Sequence, residues 1–348
     1  MLGCTATKRR FFAGRGKHRG TGTGVPAAAL ALALCLCTAA AGVAGDPPAA
    51  FKRYFPKERF PSLDAPVYVK AAEADTPPDA WVLGIVIGGQ ARAYELNLLT
   101  RHEVLNDRIE GRPVAVVWCP LANSAAVYDR RVGDRELRFE PSGVLMHGSI
   151  VMQDKETASF WPLLQEKSLY GPLEGQGLER IPGAVRARFA DWVREHPDTL
   201  VWSLFGQEYL SPNPMLRYLA SSYGYRGSVA EDQRLATKEP VFGFIRDGKP
   251  VAAAAKDVEG GRAFAVRGGF VLLYRSPAAA LNETTRAYFS ARGFDRAGNG
   301  WVEAASKARF DPAVGRFAGA GAPVTIEGFD TFWYVWSLNY PDTALLGR

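Results

Sequence analysis

The chain reads as a β-rich α+β protein built from two diverged tandem copies, each a curved antiparallel sheet with a terminal helix. Three observations predict this. Short apolar runs recur along the chain, bounded by Gly, Pro, Asn or Asp, as strands require. Helical periodicity is clearest in one stretch, Val185 to His196, where Val185, Phe189, Trp192 and Val193 share a face before Pro197 ends it. Four blocks also recur in the same order. LGIVIGGQ (83–90) matches FGFIRDGK (242–249), GRPVAVVWC (111–119) matches GRAFAVRGG (261–269), KETASFWP (155–162) matches SKARFDP (306–312), and WVREHPDT (192–199) matches WSLNYPDT (336–343). The expected organisation is a leader over 1–44, an extended lead-in over 45–80, a first copy over 81–235 and a second, degenerate copy over 236–348.

The leader has the composition of a secretion signal. A basic segment precedes an apolar run from Val25 to Val43, and Gly42-Val43-Ala44 offers the small residues of a cleavage site. Arg9-Arg10 is also a twin-arginine pair. If the run were kept, its alanine content would make it a weak membrane span. The expectation is an exported protein, periplasmic or extracellular, touching membrane only through an uncleaved leader. Removing the six Lys and Arg of the leader leaves 36 basic residues against 36 acidic ones. The overall charge of +6 therefore gives no argument for nucleic acid. The expected partner is a small molecule or another exported protein.

Asp46 to Pro78, rich in proline and charge, reads as a lead-in wrapped on the surface. Trp81–Ile87 is a strand, Gly88-Gly89 a two-residue hairpin turn, and Gln90–Leu96 the return. Val114–Trp118 is a continuous apolar run of the kind a buried strand needs. Pro120, with no N–H to donate, stops the ladder; Leu121–Ser124 is a turn and Ala125–Tyr128 the next strand. Ser142–Asp154 reads as loop-rich. Phe332–Trp336 has too many consecutive large apolar residues for one helix face, so it must be buried on several sides.

Three of the four cysteines fall in the leader, which leaves Cys119 without an intrachain partner. It closes the buried strand where a rigid sheet hands over to a loop. The second copy has Gly269 at the matching block position and lacks a counterpart of His102. Residues needed for folding alone would tend to be kept in both copies, and this asymmetry singles out Cys119 and its surroundings.

HEVLND, VVWCPLANSAAVYDRR, SGVLMHGSIVMQDKETASFW, GPLEG…LERIPG and W…HPDT, in that order, resemble the domain-of-unknown-function 3179 family. The resemblance runs from about Trp81 to the C-terminus and implies an exported bacterial protein. Similar sequences usually read Cys-Pro-Leu-Cys-x-Ser. Here Ala122 stands at the second cysteine, which removes a C-x-x-C dithiol or a two-thiolate metal site.

Three chemistries fit these residues. In the first, Cys119 is a thiolate nucleophile with His102 as base and Asp107 or Asn106 orienting the imidazole. Ser124 and the turn at Asn123 then stabilise an oxyanion. In the second, Cys119, His102, His147 and Met152 form a metal site, most plausibly copper, with the methionine as the weak ligand. The third is a non-catalytic binding module with an aromatic-lined pocket. His196, at the helix end, reads as a capping or packing residue, and Asp295–Gly300 as a hairpin or loop. No G-x-S-x-G, P-loop, dinucleotide fingerprint or H-E-x-x-H occurs.

Overall fold

The computed structural model describes residues 46–204, 215–277 and 279–347. The leader expected over 1–44 lies outside them. The described residues begin with three short strands, β1 (Phe51–Arg53), β2 (Leu63–Asp64) and β3 (Val67–Lys70). The first long hairpin follows, β4 (Trp81–Ile87) and β5 (Gln90–Glu95). Its turn is Gly88-Gly89, with φ of 58° and 85°. Both central residues of this turn need positive φ, which glycine reaches without a Cβ clash. Helix α1 (Leu96–His102) leads into β6 (Val104–Ile109), β7 (Arg112–Cys119) and β8 (Ser124–Asp129). A small ribbon, β9 (Arg131–Val132) and β10 (Arg135–Glu136), precedes β11 (Phe139–Met146), β12 (Ser149–Asp154) and β13 (Phe160–Pro162). Then come β14 (Val185–Arg188), α2 (Phe189–Glu195) and β15 (Leu200–Ser203).

These elements form three sheets, ordered β14-β4-β5-β15-β3, β2-β6-β7-β8 and β1-β11-β12-β13. The lead-in, largely at the surface over its described residues, also supplies sheet edges. Its three strands each close an edge, β1 against β11, β2 against β6 and β3 against β15, because an open sheet edge leaves N–H and C=O groups unpaired. The helix expected over 185–196 is also corrected. Val185–Arg188 is an extended strand pairing antiparallel with Gly84–Trp81, and only Phe189–Glu195 is helical. Cross-strand pairing outweighs a weak helical period, and Val185 is β-branched. The stretch around His147 is a hairpin rather than loop-rich. His147 and Gly148 turn β11 into β12 with φ of 50° and 83°.

After α3 (Leu216–Ala220) the chain runs through β16 (Pro240–Arg246), β17 (Lys249–Ala254), β18 (Arg262–Val266), β19 (Gly269–Tyr274) and β20 (Arg286–Ser290). Next are β21 (Phe294–Ala297), β22 (Gly300–Glu303), β23 (Arg309–Asp311), β24 (Arg316–Ala318) and β25 (Val324–Thr325). The chain ends with β26 (Phe329–Phe332), α4 (Trp333–Asn339) and β27 (Ala344–Leu345). The sheet order β26-β16-β17-β27, with its last pair parallel, repeats the order and sense of β14-β4-β5-β15. Trp192 of α2 covers Gly84 of β4, and Trp336 of α4 covers Gly243 of β16. A Cβ would meet these indoles at 2.5 and 2.3 Å. Each indole N–H donates to a threonine, Thr199 or Thr343, at 2.9 Å. Gly269 opens β19, whereas Cys119 closes β7, so the two do not hold the same place in their hairpins.

The largest core joins Cys119, Tyr128, Met152 and Trp161 to Phe332–Trp336 of the C-terminal segment. Trp333, Tyr334, Val335 and Trp336 are all buried, as their run of large apolar side chains requires. A second core, around Trp118 and Trp202, fills the space on the other side of β7. Among the described residues no helix is long and apolar enough to cross a membrane.

Candidate functional site: the Cys119 loop and its cleft

Alternation along β7 sends Val114, Val116 and Trp118 to one core and Ala115, Val117 and Cys119 to the other. Ser124 pairs directly with Cys119 across the turn. The turn between them is clamped by the C-terminal half. Thr331 Oγ1 donates to the Ala122 carbonyl at 2.8 Å, and Ser124 Oγ donates to the Asp330 carbonyl at 3.0 Å. Asn123 sits at φ 54°, which asparagine tolerates better than most residues. Its amide donates to the Leu281 carbonyl at 3.2 Å, and its own carbonyl receives Arg186 Nη1 at 2.7 Å.

The Cys119 thiol is fully buried. Ile150 donates its N–H to Sγ at 3.3 Å, and the amides of Ala122 and Leu121 also stabilise its anionic form. Burial outweighs these three, with help from the nearby Glu103 carboxylate, and pushes the thiol up to about 12. Two phenols stand close by. Tyr218 donates to the Leu121 carbonyl at 2.6 Å and lies 3.0 Å, oxygen to oxygen, from Tyr334. Burial holds both phenols well above their ordinary range.

His102 ends α1, and its Nδ1 lies 2.8 Å from the Pro61 carbonyl, with its ring edge-on to Trp202 at 5.8 Å. It shares no hydrogen bond with Cys119. Asp107 is likewise committed elsewhere. It accepts from Tyr94 at 2.6 Å, from Tyr68, and from the Arg108 N–H at 2.7 Å. His147 is half-buried in its turn, and burial lowers its pKa. Met152 is wholly buried in the same core as Cys119. Among the described residues no three His, Cys, Asp or Glu side chains gather as metal ligands would. His196 caps α2 and packs on Trp192 at 4.1 Å, as its position before Pro197 suggested.

Glu103 is the neighbour that sequence reasoning passed over. It follows His102 at φ 58°, where the chain leaves α1, and is 7% exposed. Its carboxylate has no hydrogen-bond partner among the described residues, and burial raises it to about 8. A carboxylate placed directly before a buried β-run was the available signal.

On the opposite side of β7 lies a cleft of about 370 Å³. Trp118, Pro120 and Asn123 form one wall, and Glu95, Asn97 and Thr100 another. Cys119 does not line it. Glu95 caps α1, receiving the Asn97 and Leu98 amides at 3.0 and 2.9 Å. Burial raises this carboxyl to about 7, the two amides holding it back. Trp118 Nε1 donates to Thr100 Oγ1 at 3.1 Å and fixes the wall.

Fold and site define a β-rich protein in which a buried cysteine ends a strand at a turn, and the outer face of that turn lines a cleft of mixed polar and apolar character. A family model described as "Protein of unknown function (DUF3179)" matches residues 57–343, and the chain belongs to this family. Neither a curated protein nor a solved structure matches it.

Proposed function

We propose that the protein is an exported binding module that takes a small polar molecule in the cleft beside the Cys119 turn. One observation carries this reading. The turn presents Trp118, Pro120 and Asn123 to an open cleft while its thiol points into the core. Asn97, Thr100, Asn123 and Glu95 line it among apolar side chains such as Trp81, Leu96 and Leu219, and small-molecule sites likewise set a few polar groups in an apolar wall. Cys119 then serves as an anchor for the turn. The leader composition supports export, and the neutral charge of the remaining chain supports a partner other than nucleic acid.

The reading extends to the architecture. Two diverged copies, over 81–235 and 236–348, account for the shared sheet order and the paired Trp–Gly–Thr packing. Counted from the hairpin turn, Ser276, two residues past the end of β19, stands where Cys119 closes β7, because Gly269 pairs with Val266 as Arg112 pairs with Ile109. Only the first copy keeps a thiol at this strand end.

Ligand-observed NMR with a panel of neutral amides, sugars and small acids tests the cleft. Binders should be lost in Asn97→Leu, which fills the space, at an unchanged melting temperature. Equal binding by that variant would refute the site. The thiolate reading is second, favoured by the three amides directed at Sγ. Iodoacetamide separates the two. An anchoring thiol reacts only after denaturation, whereas rapid alkylation of the native protein near pH 6 would mean an activated thiolate.

A further inference from the structure

We infer that a second cleft, floored by Arg186, is a binding site for a small oxyanion, the carboxylate or phosphate group of a small molecule. This goes beyond the cleft at Asn97. The argument begins with a buried charge. Arg186 and Arg275 have side chains 3% and 4% exposed, and both lean on one carboxylate, Asp330, at 3.3 and 3.1 Å. Asp330 also receives the Thr285 N–H at 3.0 Å and the Thr285 hydroxyl. Four donors saturate its two oxygens. Two guanidinium charges therefore share one fully committed anion, and burying an uncompensated charge is costly. Burial and Arg275 both disfavour the charged form of Arg186, with Asp330 opposing them.

Arg186 borders a cleft of about 400 Å³. Arg188, Arg194 and Arg286 line it with Thr284, against Asp191, Glu195 and Glu283. Two of these acids have their own cations. Asp191 holds Arg194 at 2.6 Å, and Glu195 lies 3.7 Å from Arg316. Glu283 accepts the Ser276 N–H at 3.0 Å. The Arg286 side chain has no ion pair or hydrogen bond among the described residues, and Glu327 is a carboxylate within its electrostatic reach. Arg188 gives Nη1 to the Asp79 carbonyl and stacks on Trp81 at 4.4 Å. Guanidinium forks match carboxylate and phosphate oxygens in pairs, so Arg286 and Arg188, over a floor with surplus positive charge, select an oxyanion. Arg186 also holds the Asn123 carbonyl, so an anion here touches the partner that fixes the Cys119 turn.

The test titrates the purified protein with inorganic phosphate and, separately, with succinate, each against chloride at matched ionic strength. Melting temperature and tryptophan fluorescence are read, Trp81 lying in the cleft wall. Saturable stabilisation beyond chloride is expected from at least one anion, and which one identifies the source. Arg286→Ser should weaken binding by about tenfold or more, the loss of a charge-assisted hydrogen bond. Glu283→Gln should tighten it by removing a competing carboxylate. Arg188→Gln is a second probe should Arg286→Ser lower the melting temperature of the free protein. Stabilisation no greater than with chloride, or wild-type affinity in both arginine variants, would overturn the proposal.

Discussion

Glu103→Gln offers the sharpest test of the chemistry around Cys119. The Glu103 carboxyl is held at about 8 against an ordinary value of 4.5, with burial as the cause. A carboxyl raised on folding keeps its proton in the native state while the unfolded chain releases it. Between pH 4.5 and 8 the native state thus binds more protons, and stability falls as pH rises. The contribution is intact below 4.5 and fully lost above 8. At about 1.4 kcal/mol per pH unit, ionised Glu103 costs the fold up to about 5 kcal/mol. Glutamine keeps the shape and has no charge to bury. Urea unfolding of both proteins, followed by tryptophan fluorescence at pH 5 and pH 8.5, isolates this residue from every other titrating group. The advantage of Glu103→Gln over the native protein should grow by several kcal/mol between the two pH values. An advantage that stays the same at both would mean that Glu103 is solvated or paired, and would remove it from the surroundings of Cys119.

Other perturbations have equally definite outcomes. Gly84→Ala and Gly243→Ala drive a methyl into the Trp192 and Trp336 indoles and should each cost about 1–3 kcal/mol by overpacking; unchanged urea midpoints would contradict the packing. Asp154→Ala strips the acceptor from Thr157, Ser159 and Trp161, all bonded to its buried carboxylate, and should destabilise by about 3 kcal/mol or more. A loss under about 1 kcal/mol in chemical denaturation would refute that accounting. Glu303, which receives Ser290 and the Ala305 and Ser306 amides, is lowered to about 2 by these bonds despite burial. Its contribution is present above pH 4.5 and lost as pH falls toward 2, so Glu303→Gln should flatten the acid limb of stability. An unchanged acid limb would exclude it.

Much of the frame was legible from local signals. The Gly88-Gly89 turn, the strand ending at Cys119 and the multiple burial of Phe332–Trp336 each follow from backbone freedom, a missing N–H or the sheer size of side chains. Val185–Arg188 was misread because four residues carry too little periodicity to tell strand from helix, and pairing with β4 decided it. The lead-in is extended and largely at the surface, but its pairing was not legible, because its short strands gain meaning only from the edges they close.

The sequence by itself determined that the protein is β-rich, that Cys119 is the one cysteine after residue 37, and that it ends a buried strand before a turn. Which groups surround that thiol was decided by tertiary structure alone. His102, seventeen positions away along the chain, bonds to Pro61 instead. Ser124 meets Asp330 across a separation of 206 residues, and Asn123 meets Arg186 across 63. The reason is physical. Local propensity fixes which residues are extended, but sheet pairing and the facing of alternate side chains fix which of them touch. Burial then sets their protonation, raising Cys119 and Glu103 together in a way no spacing of letters encodes.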